Sequence, residues 1–166
     1  MKKTFKRLAA LALSATMVMS LAACGNSDSK KDDNKTYTVG ICQLVQHPAL
    51  DEATKGFRDA LTAEFGDKIT FDEQNAAGDS ATCSTIANSF VSKKVDLIMA
   101  NATPALQAAV SATSTIPILA TSITEYGVAL DIADFNGKTG INVSGTSDLA
   151  PLDQQAALFA ELNIAK

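Results

Sequence analysis

Read for the spacing of apolar and polar positions, the chain alternates two periods from residue 37 onward. Tyr37–Val45 (YTVGICQLV) is a nearly unbroken run of β-branched and apolar residues, the pattern of a buried strand. Leu50, Ala53, Phe57, Leu61 and Phe65 then recur at three- and four-residue steps, predicting a helix that Gly66-Asp67 ends. Lys68–Gln74 alternates as a second strand. Gly78-Asp79-Ser80 predicts a turn and an N-cap for a helix whose inner face is Cys83, Ile86, Ala87, Phe90 and Val91. Val95–Ala100 (VDLIMA) has the continuous apolar run of a central parallel strand. Thr103-Pro104 predicts the next helix start, with Thr103 as N-cap and Leu106, Ala109 and Val110 facing inward. Ile116–Thr121 predicts a fourth strand, Lys138–Val143 a fifth, and Pro151–Leu162 a last helix with Leu152, Gln155, Phe159 and Leu162 along one side.

The rhythm βαβαβαβ…βα leaves room for a helix in every early crossover. It predicts an α/β fold, a doubly wound parallel sheet with right-handed connections. Ligands in such sheets bind beyond the carboxyl ends of the strands. That directs attention to Gln46–Leu50, Asn101–Pro104, Ser122–Tyr126 and Ser144–Asp148, which hold hydroxyls, amides and the single His of the chain but no basic residue. A helix start such as Thr103–Ala105 offers free N–H groups and a positive dipole end, which hold a carboxylate without Lys or Arg.

Residues 1–24 break the pattern. A basic start (MKKTFKR) precedes an apolar run too short for a spanning helix and then LAAC at Leu21–Cys24. The order reads as a signal peptide over 1–23 that ends in a lipobox. Cys24 would then receive a diacylglyceryl group and become the mature N-terminus, anchoring the folded part to the extracytoplasmic face of a cell membrane. Residues 25–36 contain no apolar side chain and both charge signs, the composition of a flexible tether.

Charge narrows the partners. Lys2, Lys3, Lys6 and Arg7 all precede the apolar run, and from Cys24 onward 10 basic residues face 18 acidic ones, a net of −8 with the cations scattered. A nucleic-acid groove needs the opposite. Apolar residues at 46% and charged residues at 19% exclude a disordered chain, and three cysteines in 166 residues exclude a cysteine-stapled miniprotein. Cys42 and Cys83 lack metal or redox spacing and read as two small buried residues, with a disulfide between them as the alternative.

No motif brings catalysis or a cofactor. The loop after the first strand has no glycine, so no nucleotide-binding turn follows it. Gly137-Lys138-Thr139 imitates the tail of a phosphate loop, but Ile132 stands where its first glycine belongs and a strand follows instead of a helix. There is no G-x-S-x-G elbow. His47 has no orienting carboxylate beside it by motif. It can cap the next helix, contact a polar ligand, or serve an anchored hydrolase with a distant carboxylate. Tyr126 and Phe135 read either as stacking surfaces or as ordinary packing.

Four stretches then carry a resemblance: VGICQLVQHPALDEATKGFRDAL, VDLIMANATPALQAA, PILATSIT and GINVSGTSDLAP. Together, in order from about Tyr37 to Lys166, they resemble substrate-binding lipoproteins of an ABC-transporter group related to tryptophan- and tyrosine-binding components. The resemblance implies a type I periplasmic-binding-protein fold in which two α/β lobes close on a small, often aromatic, amino-acid ligand. It implies a permease and an ATPase as partners, no cofactor, no metal and no chemistry. Residues 37–148 match the first lobe, and 149–166 match the hinge-proximal helix that leads toward a second lobe not contained in residues 1–166. Carried over by position, the ligand-facing residues are Gln46 and His47, Thr103 and Pro104, Thr121 and Ser122, and Ser147 and Asp148 near the hinge. Glu125-Tyr126 stands where relatives carry an Asp-Pro pair, which places a difference in the cleft floor. An anchored surface sensor or protein-interaction module is the competing reading from the same anchor and tether.

Overall fold

The computed structural model describes residues 35–162, so the signal segment, Cys24 and the tether through residue 34 lie outside the described residues. Five strands, β1 (Tyr37–Gln43), β2 (Ile69–Asn75), β3 (Leu97–Asn101), β4 (Ile118–Ile123) and β5 (Val143–Ser147), form one sheet in the order β2-β1-β3-β4-β5. Every neighbouring pair is parallel. The helices are α1 (Pro48–Phe65), α2 (Ser80–Lys93), α3 (Thr103–Ala112), the single turn α4 (Tyr126–Ala129) and α5 (Leu152–Glu161). This is the doubly wound α/β fold that the strand–helix rhythm predicts. None of these helices is long and apolar enough to cross a membrane.

Strand alternation splits the core in two. Val39, Ile41 and Met99 point to one face, where Phe57 and Leu61 of α1 cover them. Cys42, Ile98, Ala100, Ile118 and Ala120 point to the other, against Cys83, Ile86 and Phe90 of α2 and Leu106 and Ala109 of α3. Right-handed crossovers force this division: β1→β2 moves one way along the sheet and β2→β3 returns past β1, so α1 and α2 land on opposite faces. Gly40 is required by the second layer, because a Cβ there would sit 2.6 Å from the Phe90 ring. Cys42 and Cys83 are both fully buried and free, so the alternative of a disulfide does not hold.

Two expectations need correction. Lys138–Val143 is not the fifth strand; the strand is Val143–Ser147, and residues 130–142 form the loop before it. β5 is an edge strand with only Val143 buried, so its sequence, VSGTS, lacks the apolar alternation by which strands are found. The segment Ser144–Asp148, expected as a loop beyond a strand, is therefore mostly strand, and only Ser147-Asp148 reaches its carboxyl end. Along α5, Leu152, Gln155, Phe159 and Leu162 are all exposed, so the face read from its periodicity packs against nothing among the described residues.

Candidate functional site

The chain turns in opposite directions after β1 and after β3, which are adjacent in the sheet, so their carboxyl ends border the crevice that ligands use in doubly wound sheets. Loop 44–47 leaves from β1 and Ala102 leaves from β3. Since parallel strands lie about 4.8 Å apart, the ends of β1, β3, β4 and β5 span roughly 15 Å of one rim. All eight candidate residues lie on it: Gln46 and His47 after β1, Thr103 and Pro104 after β3, Thr121 and Ser122 on β4, Ser147 and Asp148 at the end of β5. Gln46, His47, Ser147 and Asp148 are exposed, and the other four are half-buried.

Each has a local reason for its position. His47 is the N-cap of α1: its Nδ1 accepts from the Ala49 N–H at 3.2 Å, and Pro48 takes the first helical position. With Nδ1 an acceptor, the neutral ring carries its proton on Nε2, which no helix contact uses. Thr103 does not cap α3. The N-cap is Ala102, with φ +91° and ψ 157°, Thr103 is already helical, and no side chain closes this helix start, since alanine has no polar atom to offer. The other early helix starts are closed, α2 by the Asp79 carboxylate and α4 by Glu125. The positive end of α3 thus remains open at the crevice beside the Thr103 hydroxyl.

On β4, the Thr121 hydroxyl lies 3.2 Å from that of Thr146 on β5, and Ser122 has φ +58° where the β4–β5 register shifts. The Ser147 hydroxyl donates to the Thr124 carbonyl at 2.8 Å, and the Asp148 N–H donates to the Ile123 carbonyl at 3.1 Å. Tyr126 is not a ligand-stacking surface. It is buried, stacked on Phe135 at 6.5 Å between ring centroids, and its hydroxyl proton is shared between the carbonyls of Ala120 at 3.1 Å and Thr146 at 3.2 Å. Burial, with Asp148 nearby, raises the Tyr126 phenol above its ordinary pKa. Non-glycine residues with positive φ follow or end three strands on this rim, Ala77, Ala102 and Ser122. Such strain costs about 1–3 kcal/mol each and concentrates where function sets backbone geometry.

Beneath the crevice lies a group the sequence reading missed. Gln43 and Asn101, the paired last residues of β1 and β3, are buried at 5% and 0% exposure, and Thr54 is the single buried residue of α1. The Thr54 hydroxyl donates to Gln43 Oε1 at 2.6 Å and accepts from Asn101 Nδ2 at 3.0 Å. Asn101 Nδ2 also donates to the Leu50 carbonyl at 2.8 Å, and Gln43 Nε2 donates to the Val45 carbonyl at 2.9 Å and to Asp51 at 2.6 Å. Asn101 Oδ1 is buried without a hydrogen-bond partner among the described residues. The signal was present in the sequence: each apolar strand ends in a carboxamide, VGIC-Gln43 and LIMA-Asn101.

Two cavities of about 400 Å³ lie near this rim. One is an apolar groove along the α1 side of the sheet, lined by Ala53, Phe57, Met99, Leu119, Thr121 and Thr146; it contains only Thr121 of the candidates. The other lies behind β5, between Tyr126, Phe135 and the loop 137–140, and contains none. The described residues contain no group of three or more His, Cys, Asp or Glu able to hold a metal ion.

Residues 38–163 match the family model described as ABC transporter substrate binding protein. The chain is 45% identical over 140 residues to a tyrosine-binding protein of Clostridioides difficile (strain R20291), a match covering 82% of this chain and 40% of that protein. Among solved structures it is similar to a ligand-free, open substrate-binding protein with adhesive properties from Clostridium difficile (44% identity, TM-score 0.69). It is also similar to an ABC domain in complex with L-Trp from Streptococcus pneumonia (35% identity, TM-score 0.69). Each structural match covers 75% of this chain and 43% of the other. The chain therefore spans about two-fifths of the length of these relatives, and it belongs to the ABC transporter substrate-binding protein family.

Proposed function

We propose that this chain is the first lobe of a lipid-anchored, extracytoplasmic solute-binding component of an ABC importer, capturing a small amino-acid-like ligand, aromatic by kinship with the tyrosine-binding and L-Trp-bound relatives. The observation that carries the reading is the crevice between β1 and β3. There the open start of α3, the Thr103, Thr121 and Ser122 hydroxyls and the His47 Nε2 line one rim. An α-carboxylate suits the positive end of α3, since a helix N-terminus holds an anion without a basic side chain. Hydroxyl oxygens can accept from an α-ammonium, and the imidazole N–H can donate to a carboxylate oxygen. Capture breaks no bond, so the protein would be a binding protein and not an enzyme. In this reading Cys24 carries the lipid, residues 25–36 give the lobe reach, and a permease with its ATPase receives the solute.

The test is isothermal calorimetry of the full chain with L-tyrosine, L-tryptophan and a panel of non-aromatic amino acids. Saturable binding of an aromatic amino acid, weakened at least tenfold by Thr103→Val, supports the proposal. Absence of binding across the panel in a two-lobed version of the protein overturns it.

A further inference from the structure

We infer that Thr54 is the positioning residue of the crevice: through Gln43 and Asn101 it locks the two ligand-facing loops, 44–47 and 102–103, into one unit. The inference rests on the solute-capture reading for its functional meaning and on the network's geometry for its physical content.

Gln43 and Asn101 are register partners on adjacent strands, and each is the last strand residue before its loop. They do not bond to each other through side chains. Both bond to Thr54, at 2.6 and 3.0 Å, one turn and a half into α1. The directions admit one arrangement. Asn101 Nδ2 must face the Leu50 carbonyl, which accepts only; Gln43 Nε2 must face the Val45 carbonyl for the same reason; so Gln43 Oε1 accepts the Thr54 proton and the Thr54 oxygen accepts from Asn101. A network with one possible orientation fixes position, whereas apolar packing would tolerate slippage. Gln43 Nε2 also clamps loop 44–47 from within at the Val45 carbonyl, and Asp51 ties it to the first turn of α1 that His47 caps. Backbone bonds complete the circuit: the Leu44 N–H donates to the Asn101 carbonyl at 3.2 Å and the Ala102 N–H to the Thr121 carbonyl at 3.1 Å. Loss of the Thr54 hydroxyl therefore removes the one side chain that bonds to both strand ends and loosens the two loops together.

Thr54→Val keeps the shape of the side chain and removes the hydroxyl, and Thr54→Ser keeps the hydroxyl. Amide hydrogen exchange of the full chain is read at Leu44, Ala49, Asp51 and Ala102, with β2 and α2 as internal reference. The expected result is exchange at least fivefold faster at all four amides in Thr54→Val, unchanged β2 and α2, and wild-type rates in Thr54→Ser. Gln43→Met, which removes the acceptor from the strand side, is expected to repeat the Thr54→Val pattern. In the unmodified chain Leu44 and Ala102 are expected to share one opening rate, a reading that needs no variant. Faster exchange confined to α1, equal acceleration everywhere, or independent opening of Leu44 and Ala102 overturns the inference. L-tyrosine and L-tryptophan titrations of a two-lobed version, run beside it, separate the two claims: no binding there with coupled loops refutes the ligand reading alone, and tight binding with uncoupled loops refutes the positioning role alone.

Discussion

Ala102 holds the most strained backbone of the crevice, with φ +91° and ψ 157°, a region open to glycine and crowded for any residue with a Cβ. It stays there because its N–H is held by the Thr121 carbonyl and its own carbonyl accepts the first helical bond, from Leu106. Ala102→Gly relieves strain of about 1–3 kcal/mol and returns less than about 1 kcal/mol in unfolded-state entropy. The expected outcome is a melting midpoint raised by a few degrees in a calorimetric scan; a lowered midpoint would show that the conformation carries no strain. The same residue explains a misreading. A Thr before a Pro satisfies every local rule for an N-cap, but the cap is defined by backbone angles that only the junction with Thr121 imposes. Gln43 and Asn101 were hidden for a related reason: a carboxamide at a strand end looks like a boundary until the register pairs it with another.

At the scale of elements, four strands and the helices α1, α2 and α3 followed from apolar spacing because each turns a periodic face to the core; α5 followed from the same spacing although its face is exposed. β5 did not. It pairs only with β4 and exposes four of five residues, so what positions it is a close approach, not burial. A Cβ at Gly145 would lie 2.1 Å from the Ala120 carbonyl oxygen and 2.2 Å from the Tyr126 hydroxyl. The first contact is backbone and cannot move without separating β4 from β5. Gly145→Ala is therefore expected to destabilise by about 3 kcal/mol or more, beyond the usual range for a single added methyl. Tyr126→Phe alone is expected to lose about 1–3 kcal/mol through the unpaired carbonyls. Combined with Gly145→Ala it should not rescue, which urea midpoints of the two single variants and the double variant would check. Rescue would place the clash at the phenol and not at the backbone.

Over the whole molecule, the sequence made the two-sided sheet legible through its crossover lengths, and the strand order then placed the ligand rim. The chemistry sealed between the layers was legible only in outline, as two buried cysteines. The structure adds that burial, first, and the neighbouring Cys83 hold the Cys42 thiol protonated up to about pH 12, against an ordinary value of 9.0, and that burial also raises Cys83. Below pH 9 the thiols are protonated in both folded and unfolded chains and make no difference to stability. Between about pH 9 and 12 the unfolded chain releases the Cys42 proton while the folded chain keeps it. The unfolded state then binds fewer protons, and stability falls as pH rises through that window. One such group gives a limiting slope of about 1.4 kcal/mol per pH unit. Urea unfolding midpoints measured from pH 8 to 11 should decline along this limb. Cys42→Ala should start lower at pH 8, from the lost packing, and decline less steeply, so the two curves converge. Parallel curves would mean that Cys42 titrates alike in both states. A reagent that attacks only thiolates gives the kinetic counterpart at pH 8: neither buried thiol should react until urea opens the layer between β1 and α2, and both should then react together.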